Sequence, residues 1–169
     1  MNIVLIGYRG TGKSVIGRRL ANRLNMKCVS MDAAIVDRAE MSIPEFVEQN
    51  GWPAFRDLET VIAQELAELD GLVVDTGGGV IERPENIEAL KKNGTIVWLK
   101  ASVEAIVRRI EKGTQRPALT EGKTFTEEVA EVLERRTPLY AGAADHEIDT
   151  DPVTPKQVAQ MIVELCGEE

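Results

Sequence analysis

Residues Gly7-Tyr8-Arg9-Gly10-Thr11-Gly12-Lys13-Ser14 set the strongest limit on what this chain can fold into. They match G-x-x-x-x-G-K-[ST], a loop whose glycines let successive backbone N–H groups turn toward one anion. The apolar run Ile3-Val4-Leu5-Ile6 precedes it, and Val15 to Ala21 follows with helical periodicity. Strand, glycine loop and helix put the loop at a helix N-terminus, whose partial positive charge favours phosphate. The expected nucleotide-binding residues are Gly7, Gly10, Thr11, Gly12, Lys13, Ser14 and Val15. Lys13 is placed to reach the β- and γ-phosphates, and Ser14 to bind Mg²⁺ through its hydroxyl. The plain alternative is a glycine-rich turn that only joins a strand to a helix. The loop alone does not choose between ATP and GTP.

A length of 169 residues suggests one domain, 1–169, with a real core. A net charge of −8 argues against a general nucleic-acid binder, whose footprint is basic. Any anion site must therefore gather its Arg and Lys residues against the global sign. No apolar stretch is long enough to span a bilayer, and the N-terminus enters a strand without a signal pattern. The expectation is a cytoplasmic protein with no membrane partner. Cys28 and Cys166 do not make a disulfide framework, and Cys28 is expected as a buried small hydrophobe. His146, beside Asp145, reads as structural or exposed rather than catalytic.

Strand-like stretches fall near 2–6, 27–31, 71–75, 95–99 and 146–149. Helical stretches fall near 13–24, 32–40, 43–50, 54–69, 84–93, 102–112, 126–136 and 155–166. Ser42-Ile43-Pro44-Glu45 and Thr154-Pro155-Lys156-Gln157 read as capping boxes, and Pro84 as a first helical residue. Alternating strands and helices predict an α/β fold with a parallel sheet and helices on both faces. Ligands in such sheets bind outside the carboxyl ends of the strands. Two segments break the rhythm. Residues 113–125 carry Gly113, Pro117 and Gly122 and read as a surface loop or a lid. Residues 32–69 are a mostly helical insertion, of which about 32–60 is the expected region for a second substrate.

Val73-Val74-Asp75-Thr76-Gly77-Gly78-Gly79 ends a strand in three glycines, which suits a backbone that approaches a ligand closely. Asp75 is placed like a carboxylate that helps hold Mg²⁺, or else caps the turn. Arg56 lies three residues before Glu59 on one helix face, as a surface ion pair would. Arg116-Pro117 sits in the candidate lid. Arg135-Arg136 ends a predicted helix before Pro138, where arginines often only complement the dipole. Of Arg108 and Arg109, one is expected in solvent and the other, Arg109, against the nucleotide base.

In order and spacing these elements resemble the shikimate kinase family over nearly the whole chain. The motifs are the glycine loop, Asp32, Ser42-Ile43-Pro44-Glu45, Phe55-Arg56-Asp57-Leu58-Glu59, Gly77-Gly78-Gly79, Arg116-Pro117 and Arg136-Thr137-Pro138-Leu139-Tyr140. The resemblance implies a three-layer P-loop kinase with a five-stranded parallel sheet, a helical substrate-binding insertion and a lid. It implies ATP and Mg²⁺ as donor and cofactor, shikimate as the small-molecule partner, and a cytoplasmic monomer. It makes Arg56, Arg136, Gly77, Gly78 and Gly79 substrate-binding residues. Asp32 becomes both substrate-binding and catalytic, and Arg116 a catalytic residue that closes on the phosphates. Arginine suits the acid because its planar fork binds a carboxylate bidentately.

The chain departs from the family pattern at one place. The family commonly has D-x-D after the second strand, and here the stretch is Ser30-Met31-Asp32. The missing carboxylate normally assists Mg²⁺. Ser30 and Asp75 are the residues left to act behind the metal. Two other functions stay open from the residues: a kinase for another small hydroxy acid such as gluconate, and a nucleotide-binding regulatory protein descended from a kinase.

Overall fold

The parity of apolar residues along the strands decides the architecture. In β1 (Asn2–Ile6), Val4 and Ile6 face one layer while Ile3 and Leu5 face the other. The same split holds in β3 (Leu72–Asp75), with Leu72 and Val74 against Val73. It holds again in β4 (Gly94–Lys100), with Ile96 and Trp98 against Val97 and Leu99. A strand apolar on both faces must be covered on both, so helices pack above and below it. The fold comes from a computed structural model that describes residues 1–111 and 124–167.

Two further strands, β2 (Lys27–Ser30) and β5 (His146–Asp149), complete a parallel sheet of order β2-β3-β1-β4-β5. Its layers are unequal. One holds α1 (Lys13–Leu24) and α7 (Pro155–Cys166), packed through Ile16, Leu20, Val158 and Ile162. The other holds α2 (Met31–Ala39), α3 (Ile43–Ala67), α4 (Pro84–Lys91) and α6 (Phe125–Ala143). Met31, Ile35, Phe55, Ile62, Leu90 and Tyr140 bury into that layer. Each fully buried aliphatic or aromatic side chain contributes about 1.5–3 kcal/mol. Helix α5 (Val103–Glu111) packs on α6 in a third cluster around Tyr8, Ile106 and Val129. The five-stranded, three-layer α/β expectation is met.

Helix α7 spans the predicted 155–166 because its capping box is complete. Thr154 Oγ1 accepts from Gln157 N–H at 3.2 Å, and Gln157 Oε1 accepts from Thr154 N–H at 2.8 Å. At α3 the structure shows the serine's half, Ser42 Oγ accepting from Glu45 N–H at 3.3 Å. Helix α3 is one assigned element, but Gly51 (φ 84°, ψ 166°) is non-helical inside it. That kink separates the two helices expected there.

Helix α6 corrects the sequence reading. It does not stop at 136 before the proline but runs to Ala143 with Pro138 inside. An internal proline removes a backbone hydrogen bond and costs about 3 kcal/mol. Burial of Tyr140, stacked on Trp98 at 5.7 Å, and of Ala143 offsets that cost. Arg136 is thus a buried mid-helix residue, and the dipole explanation for it falls away. Cys28 is only half-buried, because it lies on the edge strand β2. Among the described residues, no helix is long and apolar enough to cross a membrane.

Candidate active site

The glycine loop leaves the central strand β1 at its carboxyl end and enters α1. Gly10 (φ 83°) and Gly12 (φ 91°) take left-handed conformations that side chains rarely adopt. Thr11 Oγ1 donates to the Tyr8 carbonyl at 2.8 Å and closes the loop. The Lys13 ammonium is buried and donates to the carbonyls of Gly7 (2.7 Å) and Tyr8 (3.0 Å). Ser14 and Val15 are exposed at the head of α1. Arg109 Nη1 donates to Gly10 O at 3.3 Å and Thr150 Oγ1 at 3.4 Å, so it braces the loop against the β5–α7 connection. Arg108 is exposed, as expected of one of the pair.

One strand away, Ser14 Oγ donates to Asp75 Oδ2 at 2.6 Å. Burial pushes the Asp75 carboxyl above its ordinary value, while the Ser14 hydrogen bond and the Lys13 charge act in the opposite sense. Asp75 makes no ion pair among the described residues. A buried carboxylate beside a hydroxyl is a hard-oxygen donor set, which fits Mg²⁺. Ser30 is the strand partner of Asp75, and its Oγ accepts from Ala33 N–H at 3.2 Å to cap α2.

Of the three glycines after β3, Gly77 and Gly79 are needed for space. A Cβ on Gly77 would lie 3.0 Å from Asp32 Oδ1 and 3.1 Å from Glu59 Oε2. One on Gly78 would lie 3.4 Å from Arg136 Nη1, and one on Gly79 would overlap the Arg56 guanidinium. The turn therefore gathers Asp32, Arg56 and Arg136 around bare backbone. Tyr140 Oη donates to Gly78 O at 2.5 Å and fixes the turn from α6. Burial pushes the Tyr140 phenol up to about 12, so it stays a donor across the physiological range.

Each arginine of this cluster has an acid behind it. Arg56 Nη1 donates to Glu59 Oε1 at 2.8 Å, and Glu59 is only 1% exposed. The surface ion pair read from spacing is thus a part-buried one, with its carboxylate in the interior. Burial raises the Glu59 carboxyl, with Arg56 opposing. Arg136 Nε donates to Glu82 Oε1 at 2.9 Å, and Arg135 Nη1 to Glu82 Oε2 at 3.1 Å. Glu82 ends a 3₁₀ turn, Val80–Glu82, that follows the glycines. Arg9 approaches Glu128 at 3.9 Å and lies 5.7 Å from the Phe125 ring centroid.

Glu82, Arg9, Tyr8 and Glu59 were not among the expected site residues. Tyr8 and Arg9 fill variable positions of the loop motif, and no pattern marks Glu82. Among the described residues, Tyr8 Oη, Arg9 Nε and Nη2, and Glu59 Oε2 are buried without hydrogen-bond partners, as is Asn86 Oδ1. All but the last lie on the loop or the acid cluster. Unsatisfied polar groups in a native interior cost about 1–3 kcal/mol each, and here most of them gather where a ligand is expected. Arg116 and the lid at 113–125 fall outside the described residues, apart from Thr124 and Phe125. A groove of about 450 Å³ between α2 and α3, crossed by the Arg38–Glu65 pair, shares none of these residues.

A phosphate cradle facing an arginine-lined turn across two adjacent strands is what phosphoryl transfer to a small acid requires. Fold and site together define a P-loop small-molecule kinase. The family model described as shikimate kinase matches residues 9–166. A shikimate kinase of Xanthomonas euvesicatoria pv. vesicatoria is 39% identical, covering 99% of this chain and 93% of its own length. The shikimate kinase of Nitratidesulfovibrio vulgaris is 41% identical, covering 88% of this chain and 86% of its own. The structure of shikimate kinase from Acinetobacter baumannii in complex with shikimate superposes with a TM-score of 0.91 at 35% identity, covering 97% and 91% of the two chains. This chain belongs to the shikimate kinase family.

Proposed function

We propose that this chain transfers the γ-phosphoryl group of ATP to a hydroxyl of shikimate, giving ADP and shikimate 3-phosphate. The observation that carries the reading is the convergence of Arg56, Arg136 and Asp32 on Gly77–Gly79, one strand from the glycine loop. In this reading the loop N–H groups and Lys13 hold the phosphates, and Arg109 braces the nucleotide end. Arg56 and Arg136 grip the carboxylate, and Gly78–Gly79 backbone supports the ring. Asp32 accepts from a ring hydroxyl and orients it toward the phosphorus. Arg116 closes on the phosphates from the lid. Ser14, with Asp75 behind it, holds Mg²⁺. Bound there, the ion would supply charge neutralisation for the phosphates. Catalysis is then positioning and electrostatics, with no covalent step on the protein.

A single domain, 1–169, acting as a cytoplasmic monomer without nucleic-acid or membrane partners completes the proposal. The test is ADP release with ATP, Mg²⁺ and either shikimate or gluconate. Shikimate-dependent release is expected. Release with gluconate in its place favours the other acid kinase, and ATP binding without release under either acid favours a regulatory protein.

A further inference from the structure

Asp75 is buried at the end of β3, yet the group that hydrogen-bonds its carboxylate is the neutral hydroxyl of Ser14. Lys13 and Arg18 favour the Asp75 charge but form no ion pair with it among the described residues, and a buried carboxylate with no cation in contact suits one that binds there. The direction of the 2.6 Å bond adds a second point. Ser14 spends its proton on Asp75, so its lone pairs are left for a metal and its oxygen is made more electron-rich. Carboxylates that fix a ligand in this way tune metal affinity strongly. Third, Ser30 and Asp75 are register partners on the parallel β2–β3 pair, so their side chains stand side by side at the carboxyl ends of neighbouring strands. Ser30 uses its oxygen to cap α2 and brings no charge.

We propose that Asp75 is the positioning residue of the metal site, orienting the Ser14 hydroxyl and carrying the charge that Ser30 lacks, and that this charge is exchangeable between the two strand partners. The proposal rests on the kinase reading only through its nucleotide half. A carboxylate at 30 or at 75 faces the same end of the sheet one strand apart, so either can direct its charge at the head of α1.

The test is the affinity of ADP by calorimetry, with EDTA and across a Mg²⁺ titration, on the intact protein without shikimate. Wild type is expected to gain affinity with Mg²⁺. In Asp75→Asn that gain falls about tenfold or more, while the affinity in EDTA holds or tightens. Adding Ser30→Asp to Asp75→Asn recovers most of the lost gain. Asp75→Ser, smaller and also neutral, repeats the test should the asparagine disturb folding, and circular dichroism reports the fold of each variant. An undiminished Mg²⁺ gain in the folded single variants overturns the proposal. So does a double variant no better than Asp75→Asn, or a wild type indifferent to Mg²⁺. Because shikimate is absent, a failure of the acid-acceptor reading leaves these outcomes unchanged.

Discussion

Glu59 gives one carboxylate oxygen to Arg56 at 2.8 Å and turns the other toward Gly77, where it accepts no hydrogen bond. The pair links the helix that carries Arg56 to the glycine turn, the two parts that the proposed reading brings to the acid. Held in this way, the Arg56 fork loses little freedom when a ligand arrives.

Removing that fork tests the acid half of the site. Arg56→Ala or Arg136→Ala is expected to weaken shikimate binding by about 2–5 kcal/mol, the usual cost of truncating one partner of a desolvated charge pair. ADP affinity should stay near wild type. Equilibrium titration of each ligand checks the split, and unchanged shikimate affinity in both variants refutes the role.

Glu59→Gln separates stability from function through pH. Burial is the larger influence on Glu59 and raises its carboxyl, with Arg56 and Arg136 opposing and Asp32 reinforcing. A raised folded value means the native state binds the proton more tightly than the unfolded chain. The stability from that proton is complete below the ordinary value of 4.5 and is lost as pH rises through the folded value. Glutamine mimics the protonated form at every pH. The variant should therefore melt higher than wild type at neutral pH, with the difference vanishing below about pH 4. Its KM for shikimate should rise, because Arg56 loses its anchor. Thermal melts from pH 3 to 8 check the sign, and a variant that melts lower than wild type at pH 7 overturns it.

Lys13→Met should fold and still abolish most turnover. Among the described residues the ammonium donates to two loop carbonyls, which is a structural contribution. Its catalytic share is charge on the transferring phosphate, for which a loss of about 10²–10³-fold in kcat is expected. Retained turnover in a folded variant would rule out the phosphate-binding assignment.

The glycine turn makes an ordered prediction. Gly79→Ala drives a methyl into the Arg56 guanidinium, whereas Gly78→Ala meets Arg136 at 3.4 Å. Gly79→Ala should thus cost shikimate turnover far more, about 10²-fold for a displacement near an ångström. Equal losses in the two variants would show that the turn is intolerant of any side chain for another reason.

Much of this was legible in the sequence because it is local. The loop motif, the alternating strands and the cap at Thr154 are written in consecutive residues, and the sheet and α7 follow from them. The reading failed at α6, where a local proline rule lost to the burial of Tyr140 and Ala143 several residues beyond it. It also missed Glu82 and Arg9. Glu82 meets Arg136 across 54 residues, and Arg9 meets Glu128 from inside a motif whose pattern ignores its position. Partnerships of that separation leave no periodic trace. The resemblance to a family gave Arg56 and Arg136 their expected roles, where the residues alone read Arg56 as a surface pair and Arg136 as complementing a helix dipole.

The matched acids behind the arginines have a consequence for selectivity. Arg56 is paired with Glu59 and Arg136 with Glu82, so each arginine's charge is met in part before any ligand enters. Their pull on an arbitrary carboxylate is therefore reduced, and in the proposed reading an acid also needs hydroxyls that meet Asp32 and the bare turn. In that reading the arginines act less as a magnet than as a mould, and the pocket sorts acids by their pattern of hydroxyls.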